Sequence, residues 1–227
     1  MPTIGLLNEK PLHAALKEWY AQPGDRIEAA VDGFVIDIVR DGLLLEIQTG
    51  SFASIKSKLT YLAGAHRLRL VYPIAHETWI VKLESDGNGV ATRRKSPRRG
   101  RPEDLFWEMV SFPGLLANPH FSLEVVLIRE EEVRRYDGKR AWRRRGWVIE
   151  ERRLLEVVDQ RVFEEPADWQ ALLPETLEQS FTTEDMAATM GIRRQLAQKM
   201  AYCLREAGVI RLLGKQGRAN LYEVAAG

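Results

Sequence analysis

Apolar residues recur with helical or strand spacing along the first third of the chain. Residues 8–21 carry an apolar stripe at intervals of three and four positions, which predicts an amphipathic helix capped by Asn8. Residues 27–48 contain two β-branched runs around Asp41-Gly42, a dipeptide typical of a hairpin turn. Residues 51–64 again show one apolar helical face. The order helix, hairpin, helix predicts a layered α/β or α+β arrangement.

The middle of the chain is less periodic than its beginning. The apolar run that follows the second helix breaks at Pro73, which predicts two strands. Residues 86–102 combine turn-forming residues with an arginine cluster and predict an exposed basic connection. We interpret residues 103–165 as an extension with a short helix and further strands. Residues 1–165 therefore form the predicted α/β domain, with its core in residues 1–85.

The C-terminal segment, residues 166–227, follows the order helix, tight turn, long helix, hairpin. Thr182 is placed to cap the first helix, and Gly191 is placed to turn the chain into the second. Two strands follow around a Gly-Lys-Gln-Gly loop. This order predicts a winged helix-turn-helix domain, and the segment resembles DNA-binding winged helices in general. The alternative is a domain that serves protein contacts or dimerisation, because fold alone does not decide function.

Composition and charge refine this picture. The 227 residues are 45% hydrophobic and the formal net charge is only +1, but residues 93–101 and 139–145 form two basic runs. Such runs attract polyanions, although solvated loops carry the same residues. Because Cys203 is the only cysteine, the chain has no disulfide framework. The four histidines are scattered and lack the spacing of metal ligands, which argues against a zinc centre. No leader and no apolar run long enough for a bilayer is evident, so the expected compartment is the cytoplasm.

Two carboxylates, Asp37 and Glu46, lie in the most apolar part of the predicted hairpin. With Asp41-Gly42 at the centre of a type I′ turn, Asp37 faces Glu46 across the two strands. Directly opposed Cβ atoms are about 4.5 to 5.5 Å apart, so the two carboxylates should resist burial. A retained proton, a basic neighbour or a divalent cation would offset this cost. The alternative is an ordinary solvent-facing polar stripe.

A third oxygen donor, Gln48, points to the same side of its strand as Glu46. Carboxylates with an amide suit Mg²⁺ or Mn²⁺ better than a soft metal. Asp37 followed by Glu46-Ile47-Gln48, between a helix that bears Glu9 and a basic helix, resembles the PD-(D/E)XK, or restriction-endonuclease-like, nuclease superfamily over the predicted core. The resemblance implies a mixed sheet with flanking helices, Asp37 and Glu46 as Mg²⁺ or Mn²⁺ ligands, and Glu9 as a supporting carboxylate. In such nucleases the metal polarises the scissile phosphate and generates a hydroxide nucleophile.

The chain departs from this family at Gln48, where lysine is usual and glutamine is a minority variant. An amide is neither a cationic partner nor a general base. Lys56 or Lys58 would supply the missing charge, although both also suit a solvated helix face. Glu9 likewise suits the first turn of a helix for dipole reasons alone. The predicted catalytic set is Asp37, Glu46, Gln48 and Glu9.

Basic and amide side chains gather at the winged-helix end of the chain and predict a phosphate-binding surface. Arg193, Arg194 and Gln195 open the second helix, where a recognition helix meets base edges, and the wing tip is also basic. The predicted nucleic-acid-binding set comprises Lys56, Lys58, Arg193, Arg194, Gln195, Lys199, Lys215 and Arg218.

The nuclease-like hairpin and the basic winged helix both indicate nucleic acid as the partner. We expect a metal-dependent DNA nuclease or a nuclease-like DNA-processing protein, with no membrane partner and with a homodimer as a compatible state. The alternative is a non-catalytic winged-helix DNA-binding regulator with a degenerate nuclease fold. An interaction module of a defence or repair assembly is a third interpretation.

Overall fold

The computed structural model describes residues 10–84, 89–138, 143 and 145–225. The chain divides into two compact units, each built from three separate stretches of sequence. Unit 1 comprises the described residues of Met1–Asp25, Pro73–Arg101 and Val126–Gln160. Unit 2 comprises the described residues of Arg26–Tyr72, Pro102–Val125 and Arg161–Gly227. The boundary predicted from the sequence between residues 165 and 166 stays a prediction.

The protein is a mixed α/β chain with a large mixed sheet flanked by helices. Its first elements are α1 (Pro11–Tyr20), β1 (Arg26–Val31), β2 (Phe34–Arg40), β3 (Leu43–Ile47), α2 (Lys56–Leu62), β4 (Arg67–Leu83) and β5 (Val90–Lys95). The middle elements are α3 (Phe106–Met109), β6 (Phe121–Tyr136) and β7 (Trp147–Phe163). The C-terminal elements are α4 (Pro166–Gln170), β8 (Ser180–Thr182), α5 (Thr183–Met190), α6 (Arg194–Glu206), β9 (Ile210–Gln216) and β10 (Ala219–Val224).

The strands of the described residues form two sheets. The larger sheet has the order β1-β2-β3-β4-β6-β7, and β5 also pairs with β4. Its first three strands form an antiparallel meander, and β4 joins β3 in parallel. The smaller sheet has the order β8-β10-β9.

The hairpin between β2 and β3 has the predicted turn and register. Asp41 and Gly42 have φ angles of 46° and 80°, and positive φ at both central positions is what a type I′ turn requires. Val39 pairs with Leu44, and Ile38 pairs with Leu45. The predicted register of the hairpin is therefore confirmed.

The strand β3 lies in the core of unit 2. Four successive residues, Leu44 to Ile47, are buried, whereas a strand with one solvated face would alternate. The helix α2 contributes Leu59 and Leu62 to this core. It follows a 3-10 turn at Phe52–Ile55, and the ring of Phe52 stacks on that of Phe112 at 5.3 Å. A charged residue on β3 therefore occupies an apolar environment.

Two expectations for the middle of the chain were wrong in part. The strand β4 continues through Pro73 instead of breaking there, because the fixed φ of proline fits an extended chain and only its N–H is lost. Part of the predicted basic connection forms the strand β5, although all six of its residues are exposed as expected. Of the second basic run, residues 139–142 and 144 lie outside the described residues.

Unit 1 holds part of the first basic run, residues 93–101, in ion pairs. The buried carboxylate of Glu77 accepts hydrogen bonds from Lys95 Nζ at 2.6 Å and from Arg129 Nε at 3.1 Å. The hydrogen bond from Lys95 is the main cause that lowers the pKa of Glu77. Arg93 pairs with Glu131 at 2.7 Å. Acidic partners in the same unit therefore balance part of the local positive field that the sequence predicts.

The C-terminal helices begin and end where the sequence predicts. Thr182 Oγ1 accepts hydrogen bonds from the backbone N–H groups of Glu184 and Asp185, and Asp185 Oδ2 accepts one from the N–H of Thr182 at 2.8 Å. The chain then turns at Gly191, which has a left-handed φ of 61°. Six residues of α6 are fully or nearly fully buried, namely Leu196, Ala197, Met200, Ala201, Cys203 and Leu204. Within unit 2, α6 packs against α3 and the 3-10 turns at Pro102–Leu105 and Pro113–Ala117.

The hairpin after α6 differs in detail from the expectation. Its turn is formed by Gly217 and Arg218, between β9 and β10, whereas Gly214 lies within β9. The strand β8 adds a third strand beside β10. In the part of the chain that the structure describes, no helix combines the length and the apolar character needed to cross a membrane.

The capping box of α5 yields a prediction for stability. Replacing Thr182 with alanine should lower the free energy of unfolding by about 1 kcal/mol at neutral pH, because two backbone N–H groups lose their acceptor. The hydrogen bonds from Thr182 lower the pKa of Asp185. The contribution of Asp185 is present above the ordinary aspartate pKa of about 3.9 and is lost as the pH falls through its lowered pKa.

Urea unfolding at neutral and at acidic pH checks this prediction. The difference between Thr182→Ala and the wild-type protein should shrink in acid. The matched control is Thr189→Ala, an exposed threonine within the same helix, which should leave the unfolding midpoint almost unchanged. Equal effects of the two substitutions would contradict the capping role.

Candidate functional site

A buried ion pair lies in the core of unit 2. Glu46 on β3 is 7% exposed, and its Oε1 atom lies 2.5 Å from Nζ of Lys58 on α2. The same ammonium donates a hydrogen bond to the carbonyl oxygen of Val35 on β2, at 2.6 Å. Lys58 therefore joins α2 to two neighbouring strands of the sheet.

Asp37 lies one position beyond the pair of Ile38 with Leu45 in the β2–β3 ladder, beside Glu46. Its Oδ2 atom accepts a hydrogen bond from the backbone N–H of Ile47 at 2.8 Å. The Asp37 side chain thus accepts a hydrogen bond from the backbone of β3. This hydrogen bond holds the Asp37 carboxylate at the edge of the buried region that contains Glu46.

Glu46 has an unusual ionisation. Burial in apolar surroundings, followed by the negative charge of Asp37, raises the pKa of Glu46 to about 7. The charge and hydrogen bond of Lys58 act in the opposite direction, as does the backbone N–H of Asp37. Burial and the neighbouring negative charge therefore favour the protonated form of this carboxyl group more than in an ordinary glutamate, whereas Lys58 favours the charged form.

The second oxygen of Glu46, Oε2, is buried and has no hydrogen-bond partner among the described residues. A buried acceptor without a partner costs about 1 to 3 kcal/mol, and more when it is charged. A proton or a cation on this atom would remove that cost. A basic neighbour, one of the three ways to offset the cost of burying this carboxylate, is present as Lys58. The other two, a proton and a divalent cation, would bind at Oε2.

Of the two remaining predicted catalytic residues, the structure describes only Gln48. Gln48 uses its Nε2 atom to donate hydrogen bonds to the carbonyl oxygen of Ser51 at 2.8 Å and to Oγ of Ser54 at 3.3 Å. It therefore holds the loop that precedes α2. Glu9 lies outside the described residues.

The two lysines of α2 have different environments. Lys58 is only 17% exposed in its side chain, so its interpretation as part of a solvated helix face was wrong. Lys56 is exposed and lines a shallow surface depression with Tyr61, so that interpretation fits Lys56. Sequence spacing does not separate them, because the distinction depends on which side of α2 faces β2 and β3.

The donor set near Glu46 can be compared with what a cation needs. In the described residues no group of three or more His, Cys, Asp or Glu side chains is arranged to hold a metal ion. The nearby donors are the two carboxylates of Asp37 and Glu46. Mg²⁺ is usually held by one or two carboxylates together with several water molecules, and two carboxylates are present here.

The predicted nucleic-acid-binding residues of the C-terminal part are on the surface. Arg193 is the N-cap residue of α6, and Arg194 lies 3.7 Å from Glu184 in an exposed ion pair. Lys215 and Arg218 are exposed at the end of the β9–β10 hairpin. The other two, Gln195 and Lys199, line a groove beside Trp107 of α3, a neighbour that local sequence patterns do not reveal.

Comparisons with known proteins give a family for this chain. A protein of Treponema pallidum (strain Nichols), named "Uncharacterized protein", is 32% identical over 222 residues, which cover 97% of this chain and 87% of that protein. No solved structure matches the chain at a significant level. The model of the family described as "Domain of unknown function (DUF8091)" matches residues 10–164, more than half of the sequence. The protein therefore belongs to the DUF8091 family.

Proposed function

We propose that this protein is a metal-dependent DNA nuclease, or a nuclease-like DNA-processing protein, with Asp37 and Glu46 as its metal ligands. The observation that carries the proposal is the buried Oε2 atom of Glu46, which has no hydrogen-bond partner among the described residues and lies beside a second carboxylate. A carboxylate in an apolar core, with one oxygen paired to a lysine and the other without a hydrogen bond, is suited to a bound cation.

The ion that fits these ligands is Mg²⁺ or Mn²⁺, because both donors are hard oxygen atoms. When bound, such an ion would stabilise charge on a phosphate oxygen and make a bound water molecule more acidic. Lys58 would place a positive charge near the same phosphate. Its ammonium group is oriented by two hydrogen bonds, to Glu46 and to the carbonyl oxygen of Val35.

Other residues of the chain would keep this arrangement rigid. The N–H of Ile47 orients the Asp37 carboxylate. Gln48 holds the loop before α2 and so helps to position the helix that carries Lys58. Catalytic groups on regular elements, oriented by neighbouring hydrogen bonds, lose little free energy to reorganisation during a reaction. Lys58 would thus supply the positive charge that PD-(D/E)XK nucleases usually take from a lysine at the position of Gln48.

The fold and the C-terminal segment support the same proposal. The order α1, β1, β2, β3, α2, β4, with β4 parallel to β3, is a mixed sheet with flanking helices of the kind that the resemblance to PD-(D/E)XK nucleases implies. In the C-terminal segment, the order α5, α6 and hairpin, with exposed Arg193 and Arg194 at the start of α6, suits a winged helix that binds the DNA backbone.

A second candidate is a non-catalytic DNA-binding regulator. Gln48 favours it, because this residue carries no charge and its amide is engaged with Ser51 and Ser54. In that protein the ion pair of Lys58 and Glu46 would serve the fold only, and DNA would be bound without being cleaved. Metal binding and cleavage distinguish the two candidates.

Metal uptake is the direct test of the proposed function. Titration calorimetry with Mn²⁺ and with Mg²⁺ should detect binding to the wild-type protein, and Asp37→Asn and Glu46→Gln should each weaken it at least about tenfold, since each removes a charged ligand. Both substitutions should also abolish cleavage of plasmid DNA. The control is Asp32→Asn, which changes an exposed carboxylate in the neighbouring β1–β2 turn. Absence of uptake by the wild-type protein, or uptake unchanged in both variants, would refute the metal site.

The pKa of Glu46 predicts how metal binding depends on pH. Because the proton and the cation compete for this carboxylate, the apparent affinity for Mn²⁺ should rise as the pH increases through about 7 and then level off. Lys58→Met removes a charge that lowers the pKa of Glu46, so the rise should move to higher pH. Lys56→Met is the matched control on the exposed side of α2 and should leave the profile in place. Identical profiles for both variants would contradict the role of Lys58.

Contacts to the DNA backbone can be tested through their dependence on salt. Replacing Arg193 and Arg194 together with alanine should weaken binding to duplex DNA and reduce the slope of log Kd against log salt by about 2, one for each lost phosphate contact. Fluorescence anisotropy at several salt concentrations measures both quantities. The control is Arg205→Ala at the other end of α6, where the guanidinium pairs with Glu206. An unchanged slope in the double variant would exclude these arginines from the interface.

A further inference from the structure

Unit 2 contains a groove between α3 and the solvent-facing side of α6. Its lining residues are Trp107, Val110, Gln195, Gln198, Lys199 and Tyr202. The cavity volume is about 450 Å³, within the range of about 300 to 1,000 Å³ that is typical of ligand sites. The groove is separate from the Glu46 and Lys58 pair, and the proposed catalytic role leaves it unused.

The groove lies on the side of α6 opposite its buried apolar stripe. The apolar stripe of this helix, which includes Leu196 and Met200, is buried. Gln195, Gln198 and Tyr202 recur at intervals of three and four on the opposite side, so they share one face of the helix. This face is polar and aromatic instead of apolar, which favours a ligand with both a flat surface and hydrogen-bonding edges.

Two aromatic rings and a cation supply the flat surface and the charge. Tyr202 is 42% exposed, and the ammonium of Lys199 lies 5.6 Å from the ring centre of Trp107. An exposed contact between a cation and a ring is weak, so a flat ligand can replace the ammonium on the indole at small cost. The freed ammonium would then be available to an anionic group of the same ligand.

Two amides supply the hydrogen-bonding edges. The side chains of Gln195 and Gln198 make no hydrogen bond with the residues that the structure describes, and both are exposed. Each amide offers two donor hydrogens and an acceptor oxygen, which match the edge of a nucleobase. The nearby acid of α3, Glu108, is engaged elsewhere, since Oε2 accepts a hydrogen bond from the N–H of Phe52 at 3.1 Å.

We propose that this groove binds an unstacked base of single-stranded DNA, an inference that rests on DNA being the partner in the proposed function. The base stacks on Trp107 and Tyr202, the amides of Gln195 and Gln198 meet its edge, and Lys199 contacts the adjoining phosphate. Aromatic side chains with a cation nearby are the usual means by which proteins hold single strands without strong preference for sequence. The proposal therefore assigns single-stranded regions of DNA as the substrate class.

The position of α3 favours a single strand over a duplex in this groove. An α-helix with its side chains is about 10 to 12 Å across, and the major groove of B-DNA is about 12 Å wide, so a recognition helix fills it. Trp107 and Val110 stand beside the outer face of α6 and form the second wall of the groove. A single strand needs no such clearance, because one base at a time enters the space.

Binding of a fluorescein-labelled twelve-nucleotide oligothymidine, measured by anisotropy in EDTA, tests the proposal. EDTA removes divalent metal, so cleavage and the Glu46 site do not affect the result. Trp107→Leu and Tyr202→Ala should each weaken binding about tenfold, because each removes a stacking surface. The matched control is Tyr61→Ala, which removes an aromatic ring that is 60% exposed elsewhere in unit 2 and should leave binding unchanged.

A spectroscopic measurement separates stacking from loss of structure. An oligonucleotide that contains 2-aminopurine should lose fluorescence when it binds the wild-type protein, because stacking on an indole quenches the base. Trp107→Phe should keep most of the affinity, whereas Trp107→Leu should not. Tyr202 lies on the exposed face of α6, so Tyr202→Ala should melt at the wild-type temperature and still bind weakly.

The outcomes distinguish this proposal from the proposed function. If Trp107→Leu and Tyr202→Ala bind oligothymidine as the wild-type protein does, the groove proposal is wrong, while metal-dependent cleavage of duplex DNA would leave the proposed function intact. If the groove variants lose binding and 2-aminopurine is quenched, the groove proposal holds even when calorimetry detects no metal uptake. If the wild-type protein binds no oligothymidine at all, the groove proposal is wrong whatever the metal titration shows.

Discussion

The pairing of Glu46 with Lys58 is the interaction on which the candidate site depends. Glu46 lies on β3, whose successive residues are buried, so an unmatched charge there would destabilise the fold. Lys58 satisfies one oxygen of this carboxylate and leaves the other without a hydrogen bond among the described residues. The pair thus makes burial of the carboxylate tolerable, and the remaining oxygen is the atom at which the proposed cation would bind.

Local structure on both sides of the pair supports this geometry. The Asp41-Gly42 turn sets the register of β2 and β3, and that register brings Asp37 beside Glu46. Gln48 secures the loop that leads into α2 and hence the position of Lys58. Gln48 therefore has a structural role of its own, and the positive charge beside Glu46 comes from the following helix.

The surroundings of α6 in the fold differ from what the C-terminal sequence alone predicts. A helix, a glycine turn and a second helix with exposed arginines are typical of a DNA-binding winged helix. In unit 2, however, α3 places Trp107 beside the outer face of α6. The occupant proposed for the resulting groove is therefore one unstacked base and not the edge of a duplex. The relative from Treponema pallidum aligns over 97% of the chain, so its similarity extends through both the hairpin and these helices.

The sequence by itself determined the features that depend on neighbours along the chain, namely the β2–β3 register, the capping box of α5 and the buried stripe of α6. These follow from turn chemistry, capping and periodicity, which act over a few residues. Only the tertiary structure decided that β4 continues through Pro73, that Lys58 and not Lys56 reaches Glu46, and that Trp107 lies beside α6. These contacts join residues far apart in sequence, and their choice depends on how whole elements pack, which local periodicity does not encode.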